Sequence, residues 1–297
     1  MEQGVKPTVG FIGIGVMGKS MAGHLLAAGY PLVVYNRTKA KAEALLAQGA
    51  AWAECPGAVA KDCDVVITMV GYPKDVEETY LGENGLIAKG RQGALFIDMT
   101  TSSPALARRI AGAAKDAGMA ALEAPVSGGD VGAREARLAI MVGGETADFE
   151  RAKPIFDLLG TNVVHQGEAG AGQHTKMCNQ IVIAGNMVGV CEALAYAKTA
   201  GLDPAKVLGV IGSGAAGSWS LSNLGPRMLD GDFAPGFYVK HFIKDMTIAL
   251  EEAAAMGLET PGLALTKSLY ERLAALGEAD SGTQALYKLY VREDVPC

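Results

Sequence analysis

The stretch Val9-Gly10-Phe11-Ile12-Gly13-Ile14-Gly15-Val16-Met17-Gly18 decides the fold. Its apolar start predicts a strand over Thr8–Ile12, and three glycines then follow with the spacing G-x-G-x-x-G. In a strand-to-helix turn the first glycine permits the bend, the second lets a pyrophosphate approach the backbone, and the third lets the helix pack on the strand. A glycine-rich turn without a ligand would use the same residues, but the position between a strand and a helix favours a bound dinucleotide. The residues predicted to hold that cofactor are Gly13, Ile14, Gly15, Val16, Met17 and Gly18.

Strand and helix patterns alternate along the chain after this loop. The predicted strands are Thr8–Ile12, Leu32–Tyr35, Asp64–Val70, Ala94–Asp98, Met119–Glu123 and Leu138–Val142. The predicted helices between them are Gly18–Ala28, Lys39–Gln48 and Pro104–Ala117. Such alternation is typical of βαβ units with helices on both faces of a mostly parallel sheet.

Beyond about residue 165 only helical periodicity remains, and it begins with a long apolar helix over Gly172–Ala200. We therefore predict an α/β Rossmann-type doubly wound sheet, followed by a long interdomain helix and an all-α C-terminal domain. The predicted dinucleotide-binding domain is 1–167, and the predicted all-helical domain is 168–297, with the interdomain helix over 168–198.

The composition argues against several classes of protein. The chain has 297 residues and a formal net charge of −6 at pH 7, so it lacks the basic surface that binds nucleic acid or an anionic membrane. Its uninterrupted apolar runs are shorter than the roughly 18 residues of a membrane span, and the N-terminal segment Met1–Pro7 lacks the apolar core of a secretion signal. The five cysteines show no C-x-x-C spacing and the four histidines no metal-binding spacing. We expect reduced thiols, a cytoplasmic location and no metal.

The second predicted strand ends in Asn36-Arg37-Thr38, where an NAD-preferring site usually carries an acid for the ribose 2′-hydroxyl. A carboxylate would repel a 2′-phosphate, whereas Arg37 can pair with phosphate and stack on adenine. The alternative is a solvated turn in which Thr38 caps the next helix, and Thr38 could serve both purposes. We predict that NADP is preferred over NAD and is contacted by Asn36, Arg37 and Thr38, with Met69 and Val70 at the end of the third strand.

A Ser-Gly-Gly loop follows the apolar strand that ends at Glu123. The Ser127 hydroxyl and the Gly128 and Gly129 amides form a cluster of donors suited to a substrate carboxylate. An ordinary loop without a ligand would have the same sequence. We predict that Ser127, Gly128 and Gly129 bind the substrate.

One lysine lies near the start of the long apolar helix. Lys176, Asn179, Gln180 and Ile183 share one helix face by their spacing. Partial burial lowers the pKa of a lysine, which suits proton transfer near neutral pH. Reduction of an aldehyde needs a proton on the oxygen as hydride reaches the carbon, and Lys176 can supply it while Asn179 orients the substrate. The alternative is a lysine whose ammonium reaches solvent from the helix start.

Other positions complete the candidate site. Lys244, at the start of a later helical run, would add a cation near the nicotinamide or the substrate, although a salt-bridged helix start is the alternative. Thr100, at the carboxyl end of a strand, is assigned to the cofactor, and Ser102 or Ser103 is assigned to the cap of the next helix. Lys240 is predicted to contact the substrate.

Taken together, these segments resemble the β-hydroxyacid dehydrogenase family, whose members include 3-hydroxyisobutyrate dehydrogenases, tartronate semialdehyde (2-hydroxy-3-oxopropionate) reductases and succinic semialdehyde reductases. The resemblance rests on the glycine loop with Met17, the Ala-Pro-Val-Ser-Gly-Gly segment ending at Gly129, the Gly-x-Gly-x-x-x-Lys-x-x-Asn segment ending at Asn179, and the Lys-Asp pair that begins at Lys244. It extends from Phe11 to about Tyr290.

The resemblance implies an NADP-dependent oxidoreductase that interconverts a short 3-hydroxy acid and its semialdehyde, with Lys176 as acid and base. It implies a carboxylate site at Ser127, Gly128 and Gly129. It also implies a small carboxylate-bearing aldehyde or alcohol as the substrate and a homodimer or homotetramer. The domain 1–167 would then bind NADP, and the helical domain 168–297 would serve substrate binding and dimerisation.

Several alternatives remain within and outside this chemistry. Succinic semialdehyde or glyoxylate reduction would use the same groups. Oxidative decarboxylation, as in 6-phosphogluconate dehydrogenase, uses other residues where this chain has Asn179, Gln180 and Ile183, and imine reductases generally replace the lysine. A dinucleotide-binding interaction module is the non-enzymatic alternative. Substrate contacts are expected near Ser213–Leu221, where Trp219 either closes the pocket or belongs to the core.

Overall fold

The structure, a computed structural model, describes residues 6–291. Most of the N-terminal segment, Met1–Val5, and the fifth cysteine, Cys297, therefore lie outside the described residues. The chain divides into two compact units, one ending at Lys176 and the other beginning at Met177. The predicted domain boundary between residues 167 and 168 stays a prediction.

One sheet forms the centre of the first unit. Its strands in chain order are β1 (Val9–Ile12), β2 (Leu32–Tyr35), β3 (Ala51–Trp52), β4 (Val65–Thr68), β5 (Leu95–Asp98), β6 (Ala120–Glu123), β7 (Val126–Ser127), β8 (Leu138–Gly143) and β9 (Gly160–Gly167). Within the described residues the strand order is β3-β2-β1-β4-β5-β6-β8-β7, and β9 also pairs with β8. Strands β1 to β6 pair in parallel with their neighbours, whereas β8 runs antiparallel to β6 and β7.

Strand order reverses at β1, which lies between β2 and β4. In the register of these pairs, Ile12 is opposite Tyr35 on one side and Thr68 on the other. Doubly wound sheets bind their ligands at such a switch point, beyond the carboxyl ends of the strands. The topology therefore places the glycine loop where a dinucleotide is expected.

Helices cover both faces of the sheet. The helices of this unit are α1 (Val16–Ala27), α2 (Glu43–Leu46), α3 (Pro56–Asp62), α4 (Pro73–Leu81), α5 (Leu86–Lys89), α6 (Pro104–Asp116), α7 (Gly129–Arg134) and α8 (Thr146–Phe156). Leu95 and Ile97 of β5 belong to the apolar core that includes α1, α2 and α8, whereas Phe96 belongs to the core that includes α3 to α6. Successive strand residues point to opposite faces, so the two cores lie on opposite sides of one sheet.

The predicted doubly wound α/β architecture is confirmed. The helix predicted over Lys39–Gln48 is wrong in extent, because the structure has a 3₁₀ turn at Lys39–Ala42 followed by the short α2. The sequence pattern also misses β3, β7 and β9. Strands β3 and β7 have two residues each, and β9 consists mainly of exposed and half-buried residues, so none carries a continuous apolar run.

The second unit is built from helices. Helix α9 (Ala171–Thr199) corresponds to the predicted long helix. Its residues up to Lys176 belong to the first unit, and those from Met177 onward belong to the second. The remaining elements are α10 (Pro204–Ile211), α11 (Trp219–Leu229), α12 (Val239–Ala255), α13 (Pro261–Leu273), a π-helical turn (Ala274–Glu278) and a 3₁₀ helix (Thr283–Leu289). The predicted long helix followed by a helical domain is therefore confirmed.

Helix α9 is the one helix in residues 6–291 that is long and apolar enough to cross a bilayer, by length and composition only. A buried core helix of a globular unit has the same properties. Met187, Cys191 and Leu194 of α9 are buried in the core of the second unit together with Phe242 and Tyr270. Packing within that core accounts for the apolar residues on the buried face of the helix.

We predict that Gly18→Ala destabilises the first unit, because the added methyl group would lie 1.9 Å from the Gly13 carbonyl oxygen. Overpacking of this kind costs about 1–3 kcal/mol in the free energy of unfolding. Gly23→Ala in the same helix is the matched control, since a Cβ there meets no atom within 4 Å. Replacing glycine in a helix interior should stabilise the protein by about 0.5–1 kcal/mol. Urea denaturation measures both variants, and changes of the same sign would contradict the close approach at Gly18.

Candidate active site

The glycine loop has a shape that only glycine permits at two of its positions. Gly13 has a φ of +100°, and a Cβ there would lie 2.2 Å from the Met69 carbonyl oxygen. A Cβ on Gly18 would meet the Gly13 carbonyl oxygen, whereas the space beside Gly15 is open. Gly15 precedes α1 without a capping side chain, so the positive end of the helix lies beside this open space. The cradle therefore fits the pyrophosphate of a dinucleotide.

Asn36 fastens this loop from the neighbouring strand. Its Oδ1 accepts a hydrogen bond from the Ile14 N–H at 3.0 Å, and its Nδ2 donates to the Thr38 carbonyl oxygen at 2.8 Å. Both ends of the amide thus bind the protein's own backbone. The structure gives Asn36 a role in shaping the loop, and the contact predicted with the cofactor stays a prediction.

The two residues after Asn36 remain on the surface. The Arg37 side chain is 78% exposed and pairs with Asp75 at 3.0 Å. Thr38 precedes the 3₁₀ turn without a capping hydrogen bond from its side chain. The solvated turn of the alternative is therefore present, with Thr38 in the N-cap position, but the Thr38 side chain does not cap the turn. A guanidinium and a hydroxyl stand next to each other at the end of β2.

Thr100 lies within a buried chain of hydrogen bonds after β5. Its Oγ1 accepts from the Val70 N–H at 3.0 Å, and its N–H donates to Asp98 Oδ1 at 3.1 Å. Asp98 also accepts a hydrogen bond from the Thr68 hydroxyl at 2.8 Å. The Thr68 hydroxyl in turn lies 3.0 Å from the Tyr80 hydroxyl. The ends of β4 and β5 are locked together by these contacts. The predicted cofactor residues Met69, Val70 and Thr100 all lie on this locked edge.

The helix that follows this loop is capped by one of the two serines proposed for that role. Ser103 Oγ accepts a hydrogen bond from the Leu106 N–H at 3.2 Å, so Ser103 is the cap of α6. Ser102 is buried instead, and its N–H binds another side chain.

Lys176 points into the protein rather than toward solvent. The residue is only 7% exposed, and its ammonium donates to the Val126 carbonyl oxygen at 2.8 Å. The alternative of a solvent-reaching lysine is therefore wrong. Val126 directly precedes Ser127, so the structure brings Lys176 to the Ser-Gly-Gly loop. Gly128 and Gly129 both have positive φ, +129° and +61°, which lets the backbone turn there into α7.

Glu123 is a site residue that the sequence interpretation missed. Its carboxylate accepts the Gly170 N–H at 2.6 Å and the Gly172 N–H at 3.1 Å, at the start of α9. Burial raises the pKa of this carboxyl to about 7, against the effect of those hydrogen bonds. Gly143 is required beside it, because a Cβ there would lie 1.9 Å from Glu123 Oε1. An acid at the end of a strand as apolar as Met119–Leu122 was the available signal.

In the second unit, the structure connects Asn179 to the Lys-Asp pair. The Asn179 amide donates to Gln180 Oε1 at 2.7 Å, and the Gln180 amide donates to the Asp245 carboxylate. The same carboxylate pairs with the Lys244 ammonium at 2.9 Å, and both side chains are largely buried. The salt bridge foreseen as the alternative for Lys244 is therefore present. It lies in a buried polar cluster rather than on the surface.

The other predicted groups of the second unit lie nearer to solvent. The Lys240 ammonium pairs with Asp280 and lies 5.2 Å from the centre of the Tyr238 ring. Trp219 is 62% exposed, so it does not belong to the core. Within residues 6–291 no group of three or more His, Cys, Asp or Glu side chains is placed to hold a metal ion. The thiols of Cys55, Cys63, Cys178 and Cys191 are free.

A phosphate-sized glycine cradle at a strand switch point and a buried lysine beside a donor loop define a nucleotide-dependent enzyme. Known proteins agree with that class. The family described as the NAD binding domain of 6-phosphogluconate dehydrogenase matches residues 8–167. The family described as the NAD-binding of NADP-dependent 3-hydroxyisobutyrate dehydrogenase matches residues 170–290.

Individual relatives match almost the whole chain. A Bacillus subtilis (strain 168) protein named uncharacterized oxidoreductase YkwC is 63% identical over 288 residues, which are 97% of this chain and 100% of the relative. The 2-hydroxy-3-oxopropionate reductase of Escherichia coli (strain K12) is 41% identical and covers 94% of this chain and 95% of its own. The solved structure of Mycobacterium tuberculosis 3-hydroxyisobutyrate dehydrogenase with L-serine has a TM-score of 0.88 at 32% identity and covers 97% of this chain and 100% of its own.

The chain belongs to the β-hydroxyacid dehydrogenase family and is 3-hydroxyisobutyrate dehydrogenase-like. It is an oxidoreductase with an NAD(P)-binding domain. The resemblance inferred from the sequence motifs is thereby confirmed.

We predict that Glu123→Gln changes how stability depends on pH. The folded state raises the pKa of this carboxyl from 4.5 to about 7, so it holds the proton more tightly than the unfolded chain does. The carboxyl therefore contributes most stability below pH 4.5, and this contribution is lost as the pH rises to about 7. The corresponding free energy is roughly 3 kcal/mol.

Glutamine keeps the acceptor oxygen but cannot ionise. Between pH 4.5 and 7 the free energy of unfolding of E123Q should therefore rise relative to the parent. The expected gain is up to roughly 3 kcal/mol. Urea denaturation of both proteins at a series of pH values measures this difference. A difference that stays constant over the range would show that the carboxyl titrates normally.

Proposed function

We propose that this protein is an NADP-preferring oxidoreductase that interconverts a short 3-hydroxy acid and its semialdehyde, with Lys176 as acid and base. The observation that carries the proposal is the buried ammonium of Lys176 at the Val126 carbonyl, directly beside the Ser127-Gly128-Gly129 donors. A buried cation needs partners, and a carboxylate-bearing substrate at this loop would add one.

The chain's own groups perform three tasks in this reaction. Ser127 and the amides of Gly128 and Gly129 hold the substrate carboxylate. Lys176 gives a proton to the aldehyde oxygen during reduction and removes it from the hydroxyl during oxidation. Burial excludes water from the ammonium. Bound NADP(H) supplies or accepts the hydride, so one proton and one hydride convert the aldehyde to the alcohol.

The residues of the second unit keep their predicted roles within the proposal. Asn179 and Lys240 are assigned to the substrate and Lys244 to the cofactor, on the strength of the family resemblance. The buried partners of Asn179 and Lys244 support these assignments, because side chains held by hydrogen bonds are pre-organised for binding.

The preference for NADP is supported by the end of β2. The Asn36-Arg37-Thr38 segment itself contains no carboxylate to repel a 2′-phosphate. The Arg37 side chain is 78% exposed, so the proposal requires its guanidinium to bind the phosphate beside or in place of Asp75. The matching C-terminal family is itself described as NADP-dependent. The phosphate-binding groups proposed are Arg37 and Thr38, with Asn36 shaping the turn.

The substrate class follows from the carboxylate site and from the relatives. One relative is named for 2-hydroxy-3-oxopropionate, and a solved relative was determined with L-serine. Tartronate semialdehyde and methylmalonate semialdehyde are the favoured aldehydes, and succinic semialdehyde and glyoxylate are the alternatives. The proposal also includes a cytoplasmic homodimer or homotetramer that binds neither nucleic acid nor membrane.

We predict that Lys176→Ala lowers kcat by about 10²–10⁴-fold, because the proton donor is removed. The dissociation constant for NADPH, measured by fluorescence titration, should change less than about twofold, since Lys176 is assigned to proton transfer and other residues bind the cofactor. Lys198→Ala is the matched control, because Lys198 is an exposed lysine in the last turn of the same helix. Activity is measured with the four aldehydes, 3-hydroxyisobutyrate and L-serine.

Two results would contradict the proposal in different ways. Near-parental turnover by K176A would remove Lys176 from the chemistry. A parent protein that binds NADPH but turns over none of the panel would favour the non-catalytic dinucleotide-binding module instead.

We predict that Arg37→Ala lowers kcat/KM for NADPH by about tenfold, as expected for the loss of one charge-assisted phosphate contact. The kcat/KM for NADH should change little, because NADH lacks the 2′-phosphate. Arg91→Ala is the matched control, since Arg91 is another exposed arginine that pairs with an aspartate, Asp64. Arg91 precedes β5 and therefore lies toward the amino ends of the parallel strands, whereas Arg37 follows the carboxyl end of β2. Equal losses with both cofactors would contradict a 2′-phosphate contact.

A further inference from the structure

Gln173, in the first turn of α9, is completely buried. Its Nε2 donates to the Thr100 carbonyl oxygen at 2.8 Å, and its Oε1 accepts the Ser102 N–H at 3.0 Å. Both bonds end on the backbone of one loop, more than 70 positions earlier in the chain. The Gln173 amide thus satisfies one backbone C=O and one backbone N–H of the loop after β5.

These bonds join the two segments that carry the proposed chemistry. Thr100 lies on the edge assigned to the cofactor, and Lys176 lies three residues after Gln173 on the same helix. Residues three apart lie on neighbouring positions of one helix face. The Gln173 side chain is therefore one of the contacts that fix the Thr100 loop relative to the helix that carries Lys176.

The hydrogen bonds of Glu123 hold a different part of this first turn. Glu123 binds the Gly170 and Gly172 N–H groups, which holds the start of α9 to the end of β6. These bonds do not involve the loop after β5 that contains Thr100. A methionine of similar length would fill the same volume without burying polar atoms, so packing alone does not explain an amide here. Two hydrogen bonds of fixed direction instead specify one register between helix and loop.

We propose that Gln173 is a positioning residue that holds the Thr100 loop and the Lys176 helix in the register needed for proton transfer. The inference deepens the proposed function and rests on it for its catalytic part. The attachment of loop to helix is a separate claim that can be measured without turnover.

Gln173→Met is the main test. In an active enzyme we expect kcat to fall by about 10–100-fold while KM for NADPH changes less than about threefold, because misplacement of a catalytic group affects the chemical step. Gln284→Met is the matched control: Gln284 is equally buried, and its amide donates to the backbone carbonyls of Asp232 and Ala234 in the second unit. Its kcat should stay within about twofold of the parent.

Gln173→Glu gives a readout that a purely structural role would not move. The introduced carboxyl can donate to the Thr100 carbonyl only when protonated, and complete burial at this position should raise its pKa. The Asp98 and Glu123 carboxylates, which bind the Thr100 and Gly172 N–H groups of the same two segments, act in the same direction. The positive charge of Lys176, three residues further along the helix, acts to lower the pKa of the introduced carboxyl. The loss of kcat relative to the parent should shrink as the pH falls from 8 to 6 in Q173E and stay constant in Q173M. Parallel pH profiles for both variants would overturn the proposal.

Hydrogen exchange tests the attachment independently of activity. The Ser102 amide loses its acceptor in Q173M, so exchange in segments 98–103 and 170–176 should become at least about tenfold faster, while Q284M leaves these segments unchanged. Unchanged exchange in Q173M overturns the proposal even if the parent shows no turnover. Faster exchange with parental kcat in an active enzyme overturns the positioning role. Faster exchange in a protein that is inactive on every substrate supports the attachment, and it contradicts the proposed function together with the catalytic part of the inference that rests on it.

Discussion

The first turn of α9 is attached to the carboxyl edge of the sheet through buried polar contacts, and the arrangement of the site depends on them. Glu123 accepts two amides of this turn, Gln173 binds the loop after β5, and Lys176 binds the carbonyl of Val126. A buried polar group without a partner costs about 1–3 kcal/mol. Each contact therefore restricts where the helix begins, and the position of the lysine ammonium follows from the sheet.

The glycine loop obeys the same kind of constraint through contact distances. Gly13 approaches the Met69 carbonyl and Gly18 approaches the Gly13 carbonyl too closely for any side chain. Asn36 then binds the Ile14 N–H from the next strand. These contacts are made by the protein's own groups and preorganise the loop, which lowers the entropy lost on binding. The helix start and the open space beside Gly15 supply the attraction for phosphate.

In the second unit a buried carboxylate organises the polar groups. Asp245 pairs with Lys244 and accepts the Gln180 amide, which in turn accepts from Asn179. Removal of the carboxylate would leave a buried ammonium and a buried amide without this partner, so the group behaves as a unit. Buried polar networks of this kind favour one arrangement of side chains over others.

Much of the architecture followed from local patterns. The glycine spacing after an apolar strand, the alternation of strand and helix signals and the long apolar helix with Lys176 are short-range features, and each led to a correct element. The misses were local as well: β9 has few consecutive apolar residues, and the segment after Thr38 forms a 3₁₀ turn before α2. Exposed edge strands and short turns carry little periodic signal.

The sequence alone determined the family and the NAD(P)-binding class of this chain, because the glycine spacing, the Ser-Gly-Gly loop and the segment around Lys176 are local patterns that can be recognised without the fold. Only the tertiary structure decided the partners of the buried polar groups. Glu123 was read as the end of a strand, Gln173 carried no expectation, and Asn36 was assigned to the cofactor alone. Their partners lie 22 to 73 positions away in the chain. Contacts over such separations are selected by how the whole domain packs, which no local pattern encodes.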